Sequence, residues 1–346
     1  MKKVNLAVVG ATGMVGRTFL KVLKEKNFPI DNLYLMASKR SAGTKLEYDG
    51  KEYIVEELTE HSFDKPIDIA LFSAGGSTSE KFAPIAAAHG VIVVDNSAQW
   101  RQHPDVPLVV PEVNPEDISW NHGIIANPNC STIQAVAVLK PLDDKYKIKR
   151  VVYSTYQAVS GAGKDGIDEL LNECEAYSQG KEYTPKILPS ASLPKHYPIA
   201  FNLIPQIDVF RDNDYTKEEM KMIWETRKIL HDPDLKVTAT TVRVPVFSSH
   251  SESINVEFEK PIDDIEDVKK LLAAAPDVVL VDDPANNKYP LAIDAAGTDE
   301  VYVGRIRRDE SVENGINLWV VADNIRKGAA TNAVQIAEIL AEAMDK

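Results

Sequence analysis

The sequence predicts an α/β protein in two parts: a doubly wound parallel sheet, then an α+β part with a mostly antiparallel sheet. Three observations predict it. Strand-like and helix-like stretches alternate between residues 4 and 97. Beyond Cys130 the strand-like stretches lengthen and alternate apolar with polar residues. The chain closes on an amphipathic stretch, "KGAATNAVQIAEILAEAMDK".

In order, "VNLAVVG" (4–10) reads as a buried strand and "GMVGRTFLKVLKEK" (13–26) has helical periodicity. "NLYLMAS" (32–38) is a second strand, and residues 44–57 look like a hairpin inserted in the sheet. "DIALFSAG" (68–75), "STSEKFAPIAAAHG" (77–90) and "VIVVDNS" (91–97) repeat strand, helix, strand. Such alternation argues for parallel strands with crossover helices. In the second part the expected strands are 150–159, 236–246, 252–259, 301–309 and 315–323. They read as an antiparallel sheet covered by helices near 163–177, 214–230 and 263–274. The texture changes near 127, which gives a first domain over 1–127, completed by a C-terminal helix at 326–346, and a second over 128–325.

Bulk composition narrows the function. With 346 residues, 44% apolar and 26% charged, the chain can bury a sizeable core. No apolar run approaches the roughly 18 residues of a membrane span, and the opening "MKKVNLAVVGATG" breaks into glycines too early for a signal peptide. Two cysteines make neither a disulfide framework nor a metal site of their own, so no metal is expected and a reducing cytoplasm fits. A net charge of −13 argues against nucleic-acid partners. It also means that an anionic substrate would be repelled by the bulk field and must be held by local Arg or Lys.

"GATGMVG" follows a strand and opens a helix, with glycines at Gly10, Gly13 and Gly16. Glycines let the backbone turn tightly and approach a pyrophosphate seated on the helix N-terminus. The alternative is a glycine turn with no ligand. The second strand ends in Ser38-Lys39-Arg40-Ser41, with no acid for ribose hydroxyls but two cations and two hydroxyls. That suits a 2′-phosphate and predicts NADP over NAD; otherwise Lys39 and Arg40 are solvated loop charges.

"NPNCST" (127–132) places Cys130 where a helix should begin. Asn127 and Asn129 are good caps and Pro128 ends the preceding strand. The first turn of a helix favours a thiolate, so Cys130 is a candidate nucleophile. The alternative is a small buried hydrophobe, which is the reading for Cys174 between two glutamates. Of seven histidines, His250 sits in a polar turn between two strong strands, and His196 competes with it as the acid/base partner. A cysteine nucleophile beside NADP suggests a thioester that hydride reduces to an aldehyde.

At "GATGMVG", "NPNCST", "QAVSGAG" (157–163), "EEMKMIWETRKIL" (218–230) and "VRVPVFSSHS" (242–251), the sequence resembles the bacterial aspartate-β-semialdehyde dehydrogenases over essentially the whole chain. The resemblance implies a Rossmann-like NADP-binding domain and an α+β catalytic and dimerisation domain. It implies reduction of L-aspartyl-4-phosphate by NADPH to L-aspartate 4-semialdehyde and phosphate, at the branch point to lysine or diaminopimelate, threonine, methionine and isoleucine. Cys130 matches the acyl-thioester nucleophile, His250 the general acid/base and Gln157 the residue orienting the acyl group. Arg243 matches the grip on the α-carboxylate, Glu218 the acid receiving the α-ammonium, and Lys221 with Arg101 the phosphate pair. Taken alone, Glu218 and Lys221 read as an exposed i,i+3 ion pair.

For the cofactor, Thr12, Gly13, Met14 and Val15 after Gly10 match the phosphate turn, and Arg40 and Ser41 the 2′-phosphate contacts. Ser160, Gly161 and Asn324 resemble residues at the nicotinamide end, while Gly75 and Ser97 follow two Rossmann strands. The chain departs from the family pattern at Thr241, often a cysteine, and at Ser249, often a glycine. A homodimer is expected, with a tetramer as the alternative. N-acetylglutamyl-phosphate reductase is the nearest rival, but its substrate has no ammonium to need Glu218. Glyceraldehyde-phosphate dehydrogenase would want an acid after the second strand. A non-catalytic NADP-binding regulator would not need a capped thiol.

Overall fold

The computed structural model describes residues 2–345. The chain divides into one unit of Met1–Asn129 with Ala329–Lys346 and another of Cys130–Gly328. The sequence-based limits of 127 and 325 stop a few residues short, because packing, not composition, sets where each unit ends.

The first unit opens with β1 (Val4–Val9), α1 (Met14–Glu25) and β2 (Ile30–Ala37). A small ribbon follows, β3 (Lys45–Tyr48) with β4 (Lys51–Ile54), and then the edge strand β5 (Glu56–Glu57). The order continues β6 (Ile69–Phe72), α2 (Gly76–Ala88), β7 (Ile92–Asp95) and β8 (Ile124–Ala126). The sheet runs β5-β2-β1-β6-β7-β8, and among the described residues its strands all pair in parallel. The hairpin expected inside this sheet is instead a separate two-stranded ribbon. β6 is buried along its whole length, as parallel strands covered on both faces must be. Strand order reverses beside β1, and the ends of β1 and β6 form the switch point where such sheets bind ligands.

The second unit begins with α3 (Cys130–Tyr146), apolar nearly all round and buried from Ser131 to Leu139. β9 (Ile148–Gln157), α4 (Lys164–Ser178), α5 (Lys217–Ile229), β10 (Lys236–Arg243) and β11 (His250–Phe258) come next. α6 (Ile265–Ala273), β12 (Val278–Leu280), α7 (Ala292–Ala295), β13 (Val301–Arg308) and β14 (Gly315–Ala322) complete it. The sheet order is β10-β9-β11-β14-β13-β12. Its central pairings are antiparallel, whereas β10–β9 and β12–β13 are parallel, so the sheet is mixed rather than purely antiparallel. A buried core of α3, α5 and α6 residues, among them Val138, Leu142, Met222 and Leu272, covers one face of it.

A long irregular segment joins α4 to α5. Two α4 carboxylates organise it: Glu169 accepts backbone N–H bonds from Lys186, Ile187 and Leu188, and Glu173 accepts from Ile199 and Ala200. The chain then passes through a π-helical turn, Arg326–Thr331, into α8 (Asn332–Ala343), whose Ala333, Ile336 and Leu340 join the core of the first unit. Among the described residues, no helix is long and apolar enough to cross a membrane.

α5 has a complete capping box: the buried Thr216 hydroxyl accepts the Glu219 N–H at 3.2 Å, and Glu219 Oε2 accepts the Thr216 N–H at 2.7 Å. Thr216→Ala should cost about 1 kcal/mol. The denaturation midpoint measures it, and an unshifted midpoint would mean that packing alone fixes this helix start.

Candidate active site

In the second unit three strand ends converge. β10 runs parallel to β9 with Arg243 opposite Gln157, so both side chains emerge at the same sheet edge. β11 runs antiparallel to β9 and starts there, at His250. His250 is therefore the first residue of a strand and fully buried, not part of a polar turn. α3 brings Cys130 at its first position, half-buried. One turn along the same helix, Gln134 Nε2 donates to the His250 carbonyl at 3.3 Å. Gly328 packs on Cys130 so closely that an added Cβ would lie 2.8 Å from the Cys130 Cβ.

The polar contacts are specific. Gln157 Nε2 donates to Glu218 Oε1 at 3.1 Å, while Gln157 Oε1 accepts from the Thr155 hydroxyl at 3.0 Å. A carboxylate only accepts, so these two partners fix which way the amide points. Lys221 Nζ lies 3.0 Å from Glu218 Oε2 and 3.4 Å from Asp208 Oδ2. Side-chain exposures of 6% for Glu218 and 18% for Lys221 rule out an exposed surface pair. Arg243 is buried, and its Nη1 donates to the Ala158 carbonyl at 2.7 Å. Its Nε has no partner. Burial pulls the guanidinium pKa down, opposed by the negative charges of Glu218 and Cys130. Arg243 thus offers an unused N–H beside a carboxylate that can hold an ammonium.

His250 Nδ1 accepts the Ala158 backbone N–H at 3.0 Å. Ala158 is fully buried, and leaving that N–H unsatisfied would cost about 1–3 kcal/mol. Burial first, and the neighbouring Arg243 charge second, lower the His250 pKa to about 3 against an opposing pull from Glu218. The imidazole is therefore neutral at physiological pH.

The remaining expected residues fall into two groups. Ser160 and Asn324 are buried and bonded to each other, and Asn324 Oδ1 also accepts the Ser249 N–H at 3.0 Å. They tie together the loops that end β9 and precede β11. Gly161 is exposed, but a Cβ there would lie 2.6 Å from Arg243 Nη1 and 3.4 Å from His250 Cε1, so its small size leaves room for the arginine. Cys174 packs in the apolar cluster of Leu170, Leu188 and Ile199, as a small hydrophobe would. His196 lies in the irregular segment between α4 and α5.

In the first unit, Gly10 adopts φ +86° right after β1, and a Cβ there would lie 2.2 Å from the Ser73 carbonyl oxygen after β6. A Cβ on Gly16 would meet the Gly10 carbonyl at 2.2 Å. This close packing forms the turn through Thr12 and Gly13. Gly13 caps α1 without a side-chain bond, and the first turn, Met14 and Val15 included, carries no acid. The N–H groups of that turn fit a pyrophosphate. Gly75, at φ +86°, caps α2 in the same way beyond β6. Arg40 and Ser41 lie in the turn after β2, Arg40 exposed and Ser41 half-buried.

Arg101 is buried on the loop after β7 and donates to the Asn96 carbonyl at 2.8 Å. Below it, burial pushes the Asp95 carboxyl pKa up, while the Ser97 and Ser79 hydroxyls and Arg101 hold it down. Trp100 Nε1 adds a bond to Ser79 Oγ. Sequence reasoning did not single out Asp95, Ser79, Asp208, Gly328 or the Ala158 backbone. None carries a chemical signal of its own, because each acts through a neighbour.

A family model for the semialdehyde dehydrogenase NAD-binding domain matches residues 5–121, and one for the semialdehyde dehydrogenase dimerisation domain matches 139–327. An aspartate-semialdehyde dehydrogenase of Aquifex aeolicus (strain VF5) is 60% identical over 97% of each chain. The crystal structure of aspartate semialdehyde dehydrogenase II from Vibrio cholerae, complexed with ASA, matches at 50% identity over 99% of each chain with a TM-score of 0.93. A Candida albicans aspartate semialdehyde dehydrogenase solved with NADP matches at 28% identity over 98% of each chain, with a TM-score of 0.77.

Ser249 adopts φ +71°, a left-handed conformation that a glycine takes without strain, and its buried hydroxyl has no partner. Ser249→Gly should therefore stabilise the protein by about 1 kcal/mol. A thermal melt checks this; a lower melting temperature would show that the hydroxyl contributes something the geometry does not reveal.

Proposed function

The chain belongs to the aspartate-semialdehyde dehydrogenase family of oxidoreductases, with a nicotinamide cofactor and a dimerisation domain, and from that premise we propose a reaction through a Cys130 thioester. One observation carries the reading. The residue that opens α3 shares a unit with Gln157, Glu218, Arg243 and His250, which are linked side chain to side chain or through Ala158.

Cys130, as a thiolate favoured by the α3 N-terminus, attacks the acyl carbon of L-aspartyl-4-phosphate. Phosphate leaves and a thioester remains. When bound, NADPH supplies the hydride that reduces this thioester to L-aspartate 4-semialdehyde. Arg243 presents its unpartnered Nε to the α-carboxylate, where a planar guanidinium gives a two-bond grip. Glu218, already facing Lys221, receives the α-ammonium, which disfavours an N-acylated substrate. Lys221 and Arg101 hold the phosphate, and Gln157 orients the acyl group. The Gly10–Val15 turn, Gly75 and Ser97 hold the dinucleotide, with Ser160, Gly161 and Asn324 shaping the nicotinamide end. Lys39, Arg40 and Ser41 select NADP over NAD. The chain works as a homodimer in amino-acid biosynthesis. A reducing cytoplasm suits it, because the nucleophile must stay a thiolate.

Two substitutions test this reading. Cys130→Ala should abolish NADP⁺ reduction by semialdehyde and phosphate while NADPH still binds by fluorescence titration; surviving turnover would remove the thiol from the mechanism. Arg40→Ala should lower the ratio of kcat/KM for NADPH over NADH by about tenfold or more, the worth of a charge-assisted hydrogen bond. An unchanged ratio would place recognition of the 2′-phosphate elsewhere.

A further inference from the structure

We propose that Asp208 determines specificity for an amine-bearing substrate: it is a positioning residue that takes up the Lys221 charge, so that Glu218 is left for the α-ammonium. The inference rests on the reading above, in which Glu218 receives that ammonium.

Asp208 is aimed by its surroundings. It lies half-buried shortly before α5, at φ +69°, a left-handed conformation that a short polar side chain can stabilise. Its Oδ1 accepts the Val209 N–H at 2.9 Å, and its carbonyl accepts from Gln206 Nε2 at 3.1 Å. The Val209 carbonyl accepts the Lys217 N–H at 2.8 Å, and Phe210 pairs antiparallel with Thr216. The segment therefore doubles back along the start of α5. One turn into that helix, Lys221 Nζ donates to Asp208 Oδ2 at 3.4 Å. The turn that ends in Asp208 thus presents a carboxylate to the same lysine that already faces Glu218.

Glu218 is engaged at both oxygens, with Gln157 Nε2 3.1 Å from Oε1 and Lys221 Nζ 3.0 Å from Oε2. A substrate ammonium that reaches Oε2 meets Lys221 there, and two ammonium groups on one carboxylate repel each other. Asp208 gives Lys221 a second carboxylate within reach. The lysine can turn from one acid to the other while its charge stays compensated. Lys221 and Arg243 then oppose Glu218 and Asp208 in equal number. The head group of an α-amino acid, one ammonium and one carboxylate, adds no net charge to these four. With Asp208 made neutral, the same groups would carry one positive charge in excess. They would then favour a carboxylate that brings no ammonium.

The test compares two aldehydes on the full chain, at saturating phosphate and NADP⁺: L-aspartate 4-semialdehyde and succinate semialdehyde, which lacks only the amine. Asp208→Asn keeps the shape and removes the charge. It should lower the ratio of kcat/KM, amine-bearing over amine-free, by about threefold or more, the worth of a partly exposed ion pair. The change should lie in the KM of the amine-bearing aldehyde, and Asp208→Glu should restore the ratio at least in part. L-aspartate and succinate as competitive inhibitors repeat the comparison without turnover of the amine-free molecule. An unchanged ratio, or equal loss on both aldehydes, would reduce Asp208 to a support of the segment before α5 and overturn the inference. Glu218→Gln separates the two readings. If it leaves the ratio alone, Glu218 does not receive the ammonium and both fail; if it lowers the ratio while Asp208→Asn does not, only the assignment of Asp208 fails.

Discussion

One buried backbone residue, Ala158, holds the candidate site together from both sides of its Cα. Its N–H goes to His250 Nδ1 at 3.0 Å, and its carbonyl takes Arg243 Nη1 at 2.7 Å. The two side chains come from different strands, β10 and β11, on either side of β9, at whose end Ala158 lies. Neither could be aimed if the register between the three strands slipped by one residue, because every side chain would change faces. The sheet is therefore an alignment device as much as a core. Its buried layer of α3 and α5 residues holds that register rigid.

The same cluster concentrates charge in a place that water barely reaches. Glu218, Lys221, Asp208 and Arg243 form a chain of opposite signs, with Glu218 nearly buried. A buried ion pair recovers its desolvation cost only when geometry and extra hydrogen bonds are good. Here Gln157 supplies the extra bond on Glu218 and Ala158 the one on Arg243. The Arg243 Nε without a partner is then the group whose cost the carboxylate of the proposed substrate would relieve. In the proposed reaction a protein of net charge −13 would meet a polyanion in this way, with cations that are few, local and already oriented.

Much of the fold was legible because long periodic segments leave little choice; α1 and β11 lie within a few residues of their expected places. What failed to show was short or non-local. β8 and β12 have three residues each, too few to display a period. That β10 joins β9 in parallel depends on a connection through α5, which no local pattern encodes. In the candidate site, the residue types drew notice: a cysteine at a helix start, an arginine and a histidine in one motif. Their environments did not. His250 looked like a turn residue because serines surround it, yet Ser249 makes the turn, at φ +71°, and His250 begins the strand. The Ala158 contribution is invisible in principle, since every residue but proline brings the same N–H.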